Sequence, residues 1–270
     1  MAHDRRALGR SHRTVSALTL AGSFGISADD TVRAFHELGV RSFFVTSRAR
    51  GIIEGVRRLI ADGHRDQLTV VCGAAIPFGF SVGFEQRRMA KALGTDKLDV
   101  FLLYWVQAHW YVTGNTWKAM RRLKDENLVA SLGISCHDRP MARSLIDELE
   151  LDVVMLRYNA AHRGVEREVF DTLDASSRPG IIAYTATRWG KLLKPFGDHA
   201  PMSAGECYRF VLGHPLVDTV LCGARSFEEL ASNQAAVALG PLEAPRLQEI
   251  KQLGDAVRSG VASRVAFAGG

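Results

Sequence analysis

The sequence predicts a single α/β domain folded as an eight-stranded (β/α)8 TIM barrel. Three observations predict it. Short apolar runs alternate with longer amphipathic stretches along the whole chain. The runs are continuously apolar, as parallel strands buried on both faces must be. There are eight of them, and a doubly wound sheet usually stops at about five or six strands. A length of 270 residues suits one such barrel.

The runs fall at 15–20, 42–45, 68–72, 99–104, 129–134, 153–156, 180–184 and 217–222. Helical patterns lie between them at 29–38, 53–62, 84–93, 116–126, 141–149, 166–175 and 204–212. Ser226 followed by Glu229 opens a further helix, with Ser226 as N-cap of a capping box. No segment reads as an interdomain linker, so the whole of 1–270 is taken as one domain. The stretch 261–270 (VASRVAFAGG) is expected to be a weakly structured tail.

Composition narrows the class. Hydrophobic residues make up 47% and charged residues 23%, which is ordinary for a globular protein. Cys72, Cys136, Cys207 and Cys222 are scattered, with neither C-x-x-C nor a paired His spacing. That argues against a metal site and for a reducing compartment. The net charge of +5 comes without a long basic run, so no nucleic-acid partner is expected. The apolar runs are strand-sized and no secretory h-region follows the basic start, so no membrane partner is expected and the expected location is cytoplasmic.

In a barrel the chemistry sits where strands end and loops begin. Several segments in and around those loops resemble the aldo/keto reductases, in that family's order: LGRSHRTVSALTLAG, TDKLDVFLLYW, MRRLKDENLVASLGIS, RYNAAHR, GIIAYTATRWGKLL and VDTVLCGARSFEELASNQAAV. The resemblance implies an N-terminal β-hairpin ahead of the first barrel strand, and NADPH bound across the barrel mouth without a Rossmann motif. No G-x-G-x-x-G follows the first run, which agrees.

By the same resemblance the cofactor is met by Ser135, Asn159, Tyr184, Gly190, Lys191, Arg225, Glu229 and Asn233. Tyr184 is the ring that stacks on the nicotinamide. Arg225 stands beside a helix N-terminus, whose free N–H groups and positive dipole end favour a phosphate. Preference for NADPH over NADH rests on Arg225 alone. Two amides that hold the nicotinamide carboxamide in the family are replaced by Cys136 and Met155.

The family's catalytic tetrad is missing. Its Asp, Tyr, Lys and His fall at Val45, Arg50, Gly73 and Tyr104. Two losses are independent of register: no Tyr precedes Tyr104, and no Lys lies between Met1 and Met89. Reduction of a carbonyl needs an acidified proton donor. The candidates for that role are Tyr104, with Arg50 stabilising its phenolate or the substrate oxyanion, and the histidines His137 and His109. His109 belongs to the same aromatic loop as Trp105, Trp110 and Tyr111. The alternative is that the aromatic residues fill a pocket emptied of polar groups.

Three functions stand open at this level. The first is an NADP(H)-dependent oxidoreductase acting on a hydrophobic or aromatic carbonyl with a non-standard proton donor. The second is a repurposed barrel without hydride chemistry, a lyase, isomerase or cyclase of specialised metabolism. The third is a non-catalytic nucleotide-binding protein. Substrate identity and oligomeric state are not legible.

Overall fold

The computed structural model describes residues 5–22 and 24–267, with side chains as far as 260. A two-stranded hairpin, β1 (Arg5–Ala7) and β2 (Thr14–Ser16), comes first. The barrel strands are β3 (Leu18–Ala21), β4 (Ser42–Phe44), β5 (Thr69–Ala74), β6 (Leu98–Val106), β7 (Val129–Cys136), β8 (Val153–Arg157), β9 (Gly180–Tyr184) and β10 (Thr219–Cys222). All neighbours are parallel, and β10 closes on β3.

The helices are α1 (Ala28–Leu38), α2 (Arg50–Ala61), α3 (Gly79–Leu93), α4 (Asn115–Asp125), α5 (Arg139–Glu148), α6 (Gly164–Glu168), α7 (Ala204–Leu212), α8 (Phe227–Val237) and α9 (Ala244–Phe267). The barrel and its hairpin are as the sequence predicts. Three details differ. The run 15–20 is two strands meeting at Ala17, the end of the hairpin and the start of the barrel. The pattern at 166–175 folds as the short α6 and a 3-10 turn at Phe170–Thr172. The tail read from 261 continues α9 to 267, and 268–270 lie outside the described residues.

Two apolar layers form. One lies between strands and helices, with Phe43, Phe101, Leu103 and Phe170 at its centre. The other is the barrel interior. Side chains alternate across a strand, so Val100, Leu102 and Tyr104 of β6, Val153 and Met155 of β8, and Ile182 and Tyr184 of β9 share that interior. Leu8 and Val15 join it from the hairpin, at the opposite end from the strand C-termini. A hydroxyl ladder ties the strands where the barrel closes: Thr19 Oγ1 lies 2.8 Å from Ser42 Oγ and 2.7 Å from Thr219 Oγ1. Asp218, buried at the foot of β10, accepts two bonds from Arg178 and one from the Ile181 amide.

The reciprocal capping box expected at Ser226 occurs at α7 instead. Ser203 accepts from the Glu206 amide, and Glu206 accepts from the Ser203 amide at 2.8 Å. At α8 Ser226 does accept from the Glu229 amide, but the Glu229 carboxylate reaches one residue further back, to the Arg225 amide. Ser203→Ala is expected to lower stability by about 1 kcal/mol, read as a fall in the urea midpoint with an unchanged m-value.

Candidate active site

The strands end together at one mouth, and side-chain alternation sets its floor. Tyr104, Met155 and Tyr184 are the last apolar interior residues of their strands, with Phe44 and Leu221 packed against them. The floor is therefore apolar and largely aromatic. One inward position further along β8 stands Arg157, paired in register with Tyr184.

Three of the positions onto which the resemblance maps the family's tetrad are occupied in different ways. Val45 is wholly buried in the outer layer. At Gly73 a Cβ would lie 1.9 Å from the Leu102 carbonyl oxygen. This backbone therefore admits no side chain, let alone a lysine. Arg50 opens α2 as an exposed residue.

Tyr104 packs its ring 5.6 Å from that of Phe44, and its buried hydroxyl has no hydrogen-bond partner. Burial pushes this phenol well above its ordinary pKa, and Cys72 and Glu85 push in the same direction. The expected pairing of Tyr104 with Arg50 is absent. No hydrogen bond or ion pair joins them, and Arg50 is not among the groups acting on the phenol. The physical reason is that β6 carries Tyr104 into the dry interior whereas α2 carries Arg50 outward.

The aromatic loop after β6 is open to solvent. Trp105, at φ 52°, is 57% exposed and Trp110 is 54% exposed, so neither tryptophan plugs the interior. His109 is exposed and bonded to Glu148 at 2.8 Å.

What the mouth does bring together is His137 and Tyr184. The tyrosine hydroxyl lies 3.0 Å from His137 Nδ1, with the rings nearly perpendicular at 76°. Burial first, and then the charge of Arg157, lower the His137 pKa. Burial raises that of Tyr184, against the opposing pull of Arg157. At neutral pH both groups are uncharged, so the phenol donates to the imidazole. When the imidazole is protonated the bond reverses, and the ring holds an acidic proton beside a fixed guanidinium.

The residues expected to face a cofactor divide into two groups. Ser135 is buried and accepts from the Trp105 amide at 2.8 Å. Asn159 is buried too; its amide donates to the Thr185 carbonyl at 2.8 Å, and its oxygen accepts from the Ala161 amide at 3.0 Å and lies 3.0 Å from His162 Nδ1. Both are therefore engaged by protein groups. Cys136 is buried with its thiol on the Val106 and Asp138 carbonyls, and Met155 is floor. The carboxamide end of a nicotinamide finds few free partners in this set.

The other group is open except for Asn233. Gly190 adopts φ 76°, and Lys191 is exposed in the turn after it. Arg225 has 77% of its side chain exposed at the start of α8, held only by Glu229. Asn233 is turned inward, 3.6 Å from Cys222 Sγ.

The fold just described has close counterparts. Residues 85–206 match the model of the aldo/keto reductase family. An aldo-keto reductase from Bacillus halodurans in its holo form superposes with a TM-score of 0.76 at 19% identity, over 92% of this chain and 95% of its own. A candidate aldo-keto reductase from Pseudomonas aeruginosa gives 0.70 at 22% identity, over 88% and 96%. The chain is similar to the aldo/keto reductases. At such identities the structural likeness is one of fold, and no curated protein sequence matches the chain. Among the described residues no cluster of His, Cys, Asp and Glu is able to hold a metal, and no helix is long and apolar enough to cross a membrane.

His162, in the RYNAAHR segment after β8, is the most perturbed histidine of this region. His162 is pushed down to about 4, by burial first and then by Arg157, Arg188, Arg258 and Arg139. Folded protein therefore takes up this proton only near that value, whereas the unfolded chain takes it up at about 6.5. Stability is expected to decline as pH falls through that window. A His162→Asn variant is expected to show a shallower decline in thermal midpoint over the same range.

Proposed function

We propose that this chain is an NADP(H)-dependent oxidoreductase that reduces the carbonyl of a hydrophobic or aromatic small molecule, with His137 supplying the proton. The observation that carries the reading is the Tyr184–His137 hydrogen bond at the mouth, over an apolar floor and beside Arg157. NADPH, when bound, supplies the hydride.

The residues present fit its phosphate end. Arg225 is an exposed guanidinium at a helix N-terminus, suited to a bidentate grip on a phosphate. Arg225→Ala is expected to weaken NADPH binding about tenfold and to leave NADH binding unchanged, as followed by nicotinamide fluorescence. Equal affinity of NADPH in both proteins would remove Arg225 from the site.

The chain's own groups divide the remaining work. The floor orients an apolar substrate and excludes water from the reacting carbonyl. Arg157 stabilises negative charge developing on the carbonyl oxygen. The protonated imidazole of His137 delivers a proton to that oxygen, and Tyr184 holds the ring in place throughout. Tyr104 lines the floor and takes no part in proton transfer, because its hydroxyl is dry and its pKa is raised. The test is NADPH consumption with a series of aromatic aldehydes by wild type and His137→Gln.

A second reading is favoured by one observation. Ser135 and Asn159 are buried and already bonded to protein groups, and Cys136 and Met155 stand where the family has amides, which leaves the nicotinamide end few partners. That arrangement suits a barrel that no longer carries out hydride transfer. Tight NADPH binding without turnover of any aldehyde supports this alternative.

A further inference from the structure

Three guanidinium groups, those of Arg157, Arg188 and Arg258, gather beside the proposed site with no carboxylate on any of them among the described residues. Chain geometry brings them together. Arg157 ends β8 in register with Tyr184. Arg188 lies in the turn after β9, and the Asn159 bond to Thr185 ties that turn to the loop after β8. The long α9 packs on the same loop. Gly254 approaches so closely that a Cβ would lie 2.2 Å from the Ala160 carbonyl oxygen. One turn later on that helix face comes Arg258.

Arg188 is the unusual member. It is only 7% exposed, and its Nη1 is buried without a hydrogen-bond partner. A buried cationic nitrogen left unpaired is unfavourable. Nearby arginines are compensated, Arg139 by Glu168 and Arg163 by Asp255. Arg188 instead feels mutual repulsion from Arg157 and Arg258 on top of its burial. Its backbone is strained as well: Thr185, Arg188 and Trp189 sit at φ 59°, 51° and 56°. Such strain persists where the surroundings over-determine it, and it clusters at ligand clamps.

We propose that Arg157, Arg188 and Arg258 form an anion site for the carboxylate or phosphate of a small molecule whose apolar body lies on the floor of Phe44, Tyr104, Met155 and Leu221. Only the identification of that molecule as the substrate rests on the function proposed above. The anion is assigned to the substrate because Arg157 ends β8 and Arg258 lies on α9, both away from Arg225 after β10; Arg188 shares its turn with Gly190 and Lys191, so NADPH is titrated alongside the aromatic anions.

The test is calorimetric titration at low salt with benzoate, phenyl phosphate, neutral benzamide and NADPH. Wild type, Arg188→Gln and Arg258→Gln are compared. Wild type is expected to bind benzoate or phenyl phosphate at least about tenfold more tightly than benzamide. Both variants are expected to lose that preference and to keep their NADPH affinity. If Arg188→Gln fails to fold by circular dichroism, the exposed Arg258→Gln decides alone. Benzamide binding as well as the anions overturns the proposal, as does a preference retained in the variants. A fall in NADPH affinity with anion binding unchanged also overturns it, and assigns the cluster to a nucleotide phosphate. Aromatic anion binding without aldehyde turnover sinks the redox reading and leaves the anion site standing.

Discussion

His137→Gln is expected to lower kcat/KM for aldehyde reduction by about 10²–10⁴-fold, with little change in NADPH affinity. Glutamine keeps a hydrogen bond to the Tyr184 hydroxyl but has no proton to give. The loss therefore isolates proton donation from positioning. Tyr184→Phe is the companion variant, since it leaves the imidazole in place and removes only its 3.0 Å partner. Its cost is expected to be smaller and to grow as the ring reorients. Equal activity of His137→Gln and wild type would mean that the proton comes from elsewhere.

The second large effect concerns Gly73, onto which the sequence resemblance maps the family's lysine. Gly73→Lys is expected not to restore the family's chemistry, and to destabilise the fold by about 3 kcal/mol or more, at the upper end of overpacking costs. The reason is local. A Cβ placed 1.9 Å from the Leu102 carbonyl oxygen forces β5 away from β6, at Gly73↔Leu102 in the ladder. Gly73→Ala tests the same clash without the long side chain, and its thermal midpoint is expected to fall nearly as far. A Gly73→Lys protein as stable as wild type would show that the strand pair adjusts.

Much of the fold was legible because parallel strands are buried on both faces and announce themselves as apolar runs. The hairpin and first barrel strand were fused into one run because only Ala17 separates β2 from β3, with no Gly or Pro to mark the break. The helix α9 was not legible because its apolar residues are not gathered on one stripe, and Gly254 and Gly260 interrupt the pattern. Gly254 is there for close packing on Ala160, which is a tertiary fact.

The site was legible in part. Residues at strand ends, among them Tyr104, His137, Arg157 and Tyr184, do gather at the mouth. Their partners were not readable. His137 and Tyr184 come from β7 and β9 ends far apart in sequence, and Ser135 and Asn159 are engaged by distant backbone groups of Trp105 and Thr185. No local pattern in the sequence singles out Arg188 or Arg258. Their lack of a carboxylate partner exists only once three elements converge.

The most direct test is the pH profile of NADPH oxidation with 4-carboxybenzaldehyde, an aromatic carbonyl that also carries the anion. His137 is expected to titrate below its ordinary value of about 6.5, because burial and Arg157 disfavour the imidazolium. The rate is therefore expected to fall as pH rises through that depressed value, and the falling limb is expected to vanish in His137→Gln. A profile that is flat across this range in wild type, or identical in the variant, would contradict the account.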